Sequence, residues 1–236
     1  MLPDALINTP LFGIGLTVIL YAVSEIIVDR LRLNIVPPFV IACPLIIAAI
    51  ILPDGVEYKH YAAGADFINF LLGPATIALA LPLYKNRAVI KANAAAIIGS
   101  VTLASFVAII TVYCCAKGLG ASEQVLLSLL PKSVTTPIAI EVAKTIGGIP
   151  ALTTASVIAT GILGATFNHK LLALFGVKND LAAGLAIGAS SHGLGTSACA
   201  SISTVQLAIG GVAIALTGIA TSILTPVLLP ILKQLW

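Results

Sequence analysis

A lysine followed by hydroxyl side chains, fenced by two prolines, forms the stretch Pro131-Lys132-Ser133-Val134-Thr135-Thr136-Pro137 between apolar residues 125–130 and 138–140. An ammonium beside hydroxyls can bind the oxygens of a small anion, the amine by charge and the hydroxyls as donors. A second polar stretch, Ser190-Ser191-His192-Gly193-Leu194-Gly195-Thr196-Ser197, is likewise set in apolar sequence. Its hydroxyls extend the donor set, its glycines admit close backbone approach, and His192 is of the one side-chain type whose unperturbed form titrates near neutrality. The candidate solute-binding residues are therefore Lys132, Ser133, Thr135, Thr136, Ser190, Ser191, His192, Gly193, Gly195 and Thr196, with Ser197 a further hydroxyl. Two readings of His192 stand open: an imidazole that couples transport to protons, or a neutral ring bonded to a nearby carbonyl.

The elements that must hold these residues are membrane helices. Of 236 residues, 59% are hydrophobic and only 9% charged, against about 25% charged in a soluble domain; mean hydropathy is +1.11. No Asp, Glu, Lys or Arg occurs at 92–116 or 181–232, and a spanning helix needs roughly 20 apolar residues. Strand-type alternation is absent, so the class is an all-α integral membrane protein, a multi-span bundle rather than a barrel. A net charge of +3 without a basic block argues against nucleic acid. Cys43, Cys114, Cys115 and Cys199 lie in or beside apolar segments and read as small buried thiols. With no nucleophile elbow, metal-ligand motif or phosphate loop, neither an enzyme nor a cofactor is expected. The start Met1-Leu2-Pro3-Asp4 lacks a basic leader region, so the first apolar run reads as a retained span.

In chain order, residues 11–28 and 35–52 read as spans, with Arg30 and Arg32 between them on the cytoplasmic side and Glu25 near interfacial water. Residues 53–60 read as a polar loop. Residues 66–84 form a weaker apolar segment interrupted by Gly73-Pro74 and Pro82, with Thr76 as a further helix-break candidate, before the basic cluster Lys85, Arg87 and Lys91. Residues 92–116 read as a span, and Ser122-Glu123 as the cap and first turn of the arm entering the first polar stretch. Helix resumes at 138–146, stops at Gly147-Gly148, and carries Glu141 and Lys144 three apart, the spacing of a mutual pair. Residues 150–167, extendable to 175, form another span, in which Gly161 and Gly164 allow close helix contact. The arm 181–189 enters the second polar stretch, 198–205 leaves it, and 207–232 closes the chain.

Prolines disfavour continuous helix through 132–136. Freed backbone groups are expensive in hydrocarbon, so such breaks persist where protein, water or a ligand satisfies them. Long span, capped arm, break and second arm occur twice about sixty residues apart, dividing one membrane domain into 1–91, 92–148, 149–205 and 206–236. If each broken segment crosses the membrane the repeats are parallel; if each is a re-entrant hairpin they form an inverted repeat. Placing Lys170 and Lys178 with the cytoplasmic basic cluster favours the hairpins.

The string from Leu130 to Ala139, together with Gly147-Gly148-Ile149-Pro150, Gly161-Ile162-Leu163-Gly164, His192-Gly193-Leu194-Gly195-Thr196 and Pro82-Leu83-Tyr84, resembles the LrgB/CidB family. The resemblance covers most of the chain from about residue 35. It implies a multi-pass bacterial cytoplasmic-membrane protein, described in the family as an antiholin-like regulator of murein hydrolase export and lysis, and paired with a small LrgA/CidA-type partner. It also implies kinship with the plastid glycolate/glycerate translocator and with bacterial pyruvate-transport systems. Asn168 stands where many members carry glycine before His169. Ser201 stands where they carry an acid after Cys199-Ala200, which bears on any cation or proton coupling that acid serves.

Two functions follow as expectations. In the first, the chain is a secondary transporter of small monocarboxylates of the glycolate, glycerate or pyruvate kind, with both breaks lining one site; in the second, it modulates a holin-like partner without moving solute. Gly- and Ala-rich helix faces add the expectation of a homo-oligomer.

Overall fold

The computed structural model describes residues 7–31, 38–52, 57–71, 74, 77, 78 and 80–235. Its secondary structure among these residues is helical throughout, and contacts group the chain into two compact units, Met1–Ala75 and Thr76–Trp236.

The first unit holds α1 (Pro10–Arg30), α2 (Pro38–Ile51) and α3 (Tyr58–Phe70). α1 is long and apolar enough to span a bilayer, whereas α2 has 14 residues. α1 meets α3 where two glycines face each other: a Cβ on Gly13 would lie 3.0 Å from the Cα of Gly64, and Thr17 bonds Tyr61 across the same contact at 3.1 Å. α3 replaces part of the loop expected at 53–60. It begins at Tyr58 because His60 Nδ1 accepts the Glu57 amide at 3.0 Å, satisfying a donor that would otherwise be left over at the helix start. Exposed Lys59 bonds Glu57 and lowers its pKa. Gly73 and Thr76 of the expected mid-segment break lie outside the described residues.

The second unit comprises α4 (Ala80–Lys85), α5 (Arg87–Ala92), α6 (Ala94–Gly118), α7 (Glu123–Leu129), α8 (Thr136–Ile146), α9 (Pro150–Leu174), α10 (Asp180–Ser197), a 3-10 turn (Ala198–Ser201) and α11 (Thr204–Leu235). α6, α9 and α11 are the spanning candidates here, and α11 is the spine. It runs in the same direction as α6, because α6 packs its early residues Ile97 and Val101 with Ile209, Val212 and Ala213, and its later residues Ile109, Tyr113 and Ala116 with Leu229. The buried stripe of α6, spaced three and four residues apart, is the face of a single helix.

Each broken segment packs at one end of this spine. α7 contributes Leu126, Leu127 and Leu130 to the cluster around Leu229, and Glu123 pairs with Lys233, which lowers the pKa of that exposed carboxylate by hydrogen bond and charge. α8 starts against the middle of α11, where Ile138 covers Gly218, and ends with Ile146 back on the Leu229 cluster. It stops at Gly147, whose φ of 87° is the left-handed cap conformation that glycine adopts without steric cost. Glu141 and Lys144 pair at 2.7 Å, as their spacing suggests.

At the other end, Asn179 caps α10 by accepting the amides of Leu181 and Ala182. Asp180 beside it accepts from Ser203 at 2.7 Å and Gln206 at 2.8 Å. From there α10 and α11 run side by side: Gly184 lies on Gln206 and Ile209, and Gly188 on Gly210 and Ala213. The chain must therefore turn back between Ser190 and Ser203, and the exit differs from the expected arm at 198–205. Residues 193–197 return to helix and lead through the 3-10 turn into α11, which begins at Thr204 rather than 207.

Candidate functional site

The first break is an interruption of six residues. α7 ends at Leu129, the amides of Lys132 and Val134 are held in local turns by the carbonyls of Leu129 and Pro131, and α8 resumes at Thr136 with Pro137 in its first turn. Proline fits there because its missing N–H is one that an early helical residue leaves unpaired anyway. The second break is sharper than the expected eight residues. Only Ser191 and His192 leave helical geometry, and His192 has φ 43° and ψ −144°, a region costly for any residue with a Cβ. What holds it is specific: His192 is 5% exposed, and its Nε2 lies 2.9 Å from the carbonyl of Val157 on α9. A carbonyl only accepts, so Nε2 carries the hydrogen, the arrangement of the carbonyl-bonded reading of this histidine. Val157 also joins the two breaks, since its side chain packs with Val134 of the first and Ala139 of α8 while its carbonyl receives His192 of the second.

Between α6, the first break and α10 lies a cavity of about 770 Å³. Lys132 and Ser133 enter it from the first break, Ser190 and Ala189 from the α10 arm just before the second, and the small side chains Ser100, Ala104, Ala108 and Thr111 of α6 form the facing wall. Lys132 is partly buried and takes part in none of the ion pairs among the described residues. An amine and hydroxyls over an otherwise apolar lining suit a small organic anion, whose carboxylate can take the charge-assisted bonds while its short carbon skeleton meets alanine and valine.

The remaining candidates do not line this cavity. Thr135 is the residue before α8, its Oγ1 buried and without a partner in the structure, and Thr136 is the first residue of that helix. Ser191 turns toward α9, where Gly164 makes room for it and Asn168 Nδ2 donates to its Oγ at 3.0 Å. Gly195 packs on Ser191, Gly193 faces open space, and Thr196 is buried on Gly210 of α11. The kink thus leaves Ser190 on the cavity and sends Ser191 and His192 to α9. Ser201, at the place of the expected family acid, is exposed in the 3-10 turn, and Ser197 is exposed as well.

Sequence reasoning passed over two groups. Gly161 and Gly164 do more than allow close helix contact: they admit Leu194, His192 and Ser191. The α6 wall gave a readable signal in the four-residue recurrence of Ser100, Ala104 and Ala108, but nothing in the sequence says which face of α6 meets the breaks.

The sequence model of the LrgB-like family matches residues 17–231, nearly the whole chain and both breaks. The chain belongs to the LrgB-like family. In this LrgB-like chain the matched region runs from within α1 almost to the end of α11. No solved structure matches it.

Proposed function

We propose that this chain is a secondary transporter of small monocarboxylates, with glycolate, glycerate and pyruvate as the solute class, and that the cavity at the two breaks is its binding site. The observation that carries this is the shared lining: Lys132 and Ser133 from one broken segment and Ser190 from the other face one volume. A holin-like regulator needs only helix surfaces, whereas an amine left inside membrane-grade helices costs about 2.5 to 3.5 kcal/mol unless water or a bound anion receives it.

The broken segments act as two re-entrant hairpins inserted from opposite faces. Support comes from the spine: α7 and the end of α8 both meet the Leu229 end of α11, while Asp180 and Ser203 close the second hairpin at its other end. Lys85, Arg87, Lys91, Lys170 and Lys178 then share the cytoplasmic face, and Lys117, Lys144 and Lys233 the opposite one, the imbalance that orients bacterial inner-membrane proteins. Two hairpins in antiparallel arrangement around a mid-depth site are the geometry of alternating access by inverted repeats.

Reconstituted alone in proteoliposomes, the chain is expected to accumulate labelled glycolate or pyruvate in a saturable manner, competed by the unlabelled acid. Flux equal to that of empty liposomes, from protein shown to be folded, would contradict the transporter reading and favour the regulator acting with an LrgA/CidA-type partner.

A further inference from the structure

We infer that Asn168 sets the polarity of a hydrogen-bond relay that makes Ser190 a proton donor toward the cavity, and so selects an anionic solute over its neutral analogue. This rests on the cavity being the solute site. Asn168 lies on α9 outside the cavity, yet its Nδ2 is 3.0 Å from Ser191 Oγ, and Ser191 Oγ is 3.1 Å from Ser190 Oγ. An amide NH₂ can only donate. Asn168 Nδ2 cannot take the Ser191 hydrogen, and among the described residues the other partner of that hydroxyl is Ser190 Oγ, so the hydrogen goes to Ser190. That leaves the Ser190 hydrogen to point elsewhere, and within the protein its acceptor is the Ile187 carbonyl at 3.3 Å, a long bond. A carboxylate in the cavity offers that hydrogen a stronger acceptor. Ser190 therefore presents a donor with a weakly held proton, while Lys132 supplies the charge on the same cavity.

The relay is one-way because of the residue at its head. Asn168→Asp replaces a donor by an acceptor: the carboxylate takes the Ser191 hydrogen, Ser191 then takes that of Ser190, and Ser190 turns its lone pairs to the cavity. Asn168→Ala removes the head without adding charge and leaves Ser191 free to point either way. A Cβ at Gly164 or Gly195 would lie 3.1 or 3.4 Å from Asn168 Nδ2, so the two glycines leave room for that side chain between α9 and the kink.

The test is a double-mutant cycle on purified protein in detergent, with binding of glycolate and of the neutral glycolamide measured by calorimetry and folding checked by thermal melting. Ser190→Ala is expected to weaken glycolate binding about tenfold, the effect of one hydrogen bond to a charged group. Asn168→Ala should weaken it a few-fold, lower the preference for glycolate over glycolamide, and add nothing once Ser190 is alanine. Asn168→Asp should weaken glycolate binding further than Asn168→Ala in the presence of Ser190. Additive losses in the cycle, or an unchanged acid-to-amide preference in folded Asn168→Ala, overturn the inference while leaving the transporter reading intact. Absence of saturable glycolate binding to the unsubstituted protein overturns both.

Discussion

Lys132→Ala is expected to weaken binding of glycolate or pyruvate by about 1.5 to 3 kcal/mol, roughly tenfold to more than a hundredfold, the range for a hydrogen bond to a charged group. The expectation follows from where the lysine stands. It is the formal charge on the cavity wall, it lies between the end of α7 and the start of α8, and it takes part in no ion pair among the described residues that would be orphaned by its removal. The backbone turn around it is fixed by main-chain bonds to Leu129 and Pro131, so the fold should survive. Lys132→Arg is also expected to impair binding, because a planar guanidinium fork presents its donors in a different geometry from a compact ammonium. Titration of folded variants with labelled acid checks both. Unchanged affinity in Lys132→Ala would move the lysine to a structural or interfacial role.

The second large effect is on packing. A Cβ at Gly188 would collide with the carbonyl oxygen of Gly210 and lie 2.8 Å from the Ala213 Cβ and 2.9 Å from the Gly210 Cα, so two of the three obstacles are backbone atoms that cannot rotate away. Gly188→Ala is therefore expected to cost about 1 to 3 kcal/mol, the usual scale for overpacking, and Gly188→Leu more. Small residues at such crossings let membrane helices approach, where van der Waals packing replaces the hydrophobic drive available in water. Because Ala189 and Ser190 follow directly on the cavity side, separation of α10 from α11 should also weaken solute binding. Thermal melting in one detergent measures the first effect. Gly193, which faces open space, is the control: Gly193→Ala should melt close to the unsubstituted protein.

The spans were legible because length and hydropathy act locally: runs free of charge at 92–116 and in the last segment became α6 and α11 with ends displaced by a few residues. The first break was legible for the same reason, since Pro131 and Pro137 act on their own backbone. The second was legible in kind and not in extent. Its glycines and hydroxyls do not forbid helix, and the turn falls at Ser191 and His192 because α9 offers Val157 and Asn168 to receive them. Those contacts join residues 35 and 23 apart in sequence, and no local pattern encodes them. The direction of each side chain was equally out of reach: the ten candidates all lay in two polar stretches in apolar surroundings, and three of them, Lys132, Ser133 and Ser190, line the cavity.

Whether the two broken segments share one solute site, as proposed, is tested most directly by single cysteines at Ser133 and Ser190. With Cys43, Cys114, Cys115 and Cys199 replaced by serine or alanine, each introduced thiol is expected to react with a small water-soluble thiol reagent in liposomes, and glycolate or pyruvate should slow both reactions in the same concentration range. Reaction of the two positions only from opposite sides of the membrane, each indifferent to added acid, would contradict a shared site.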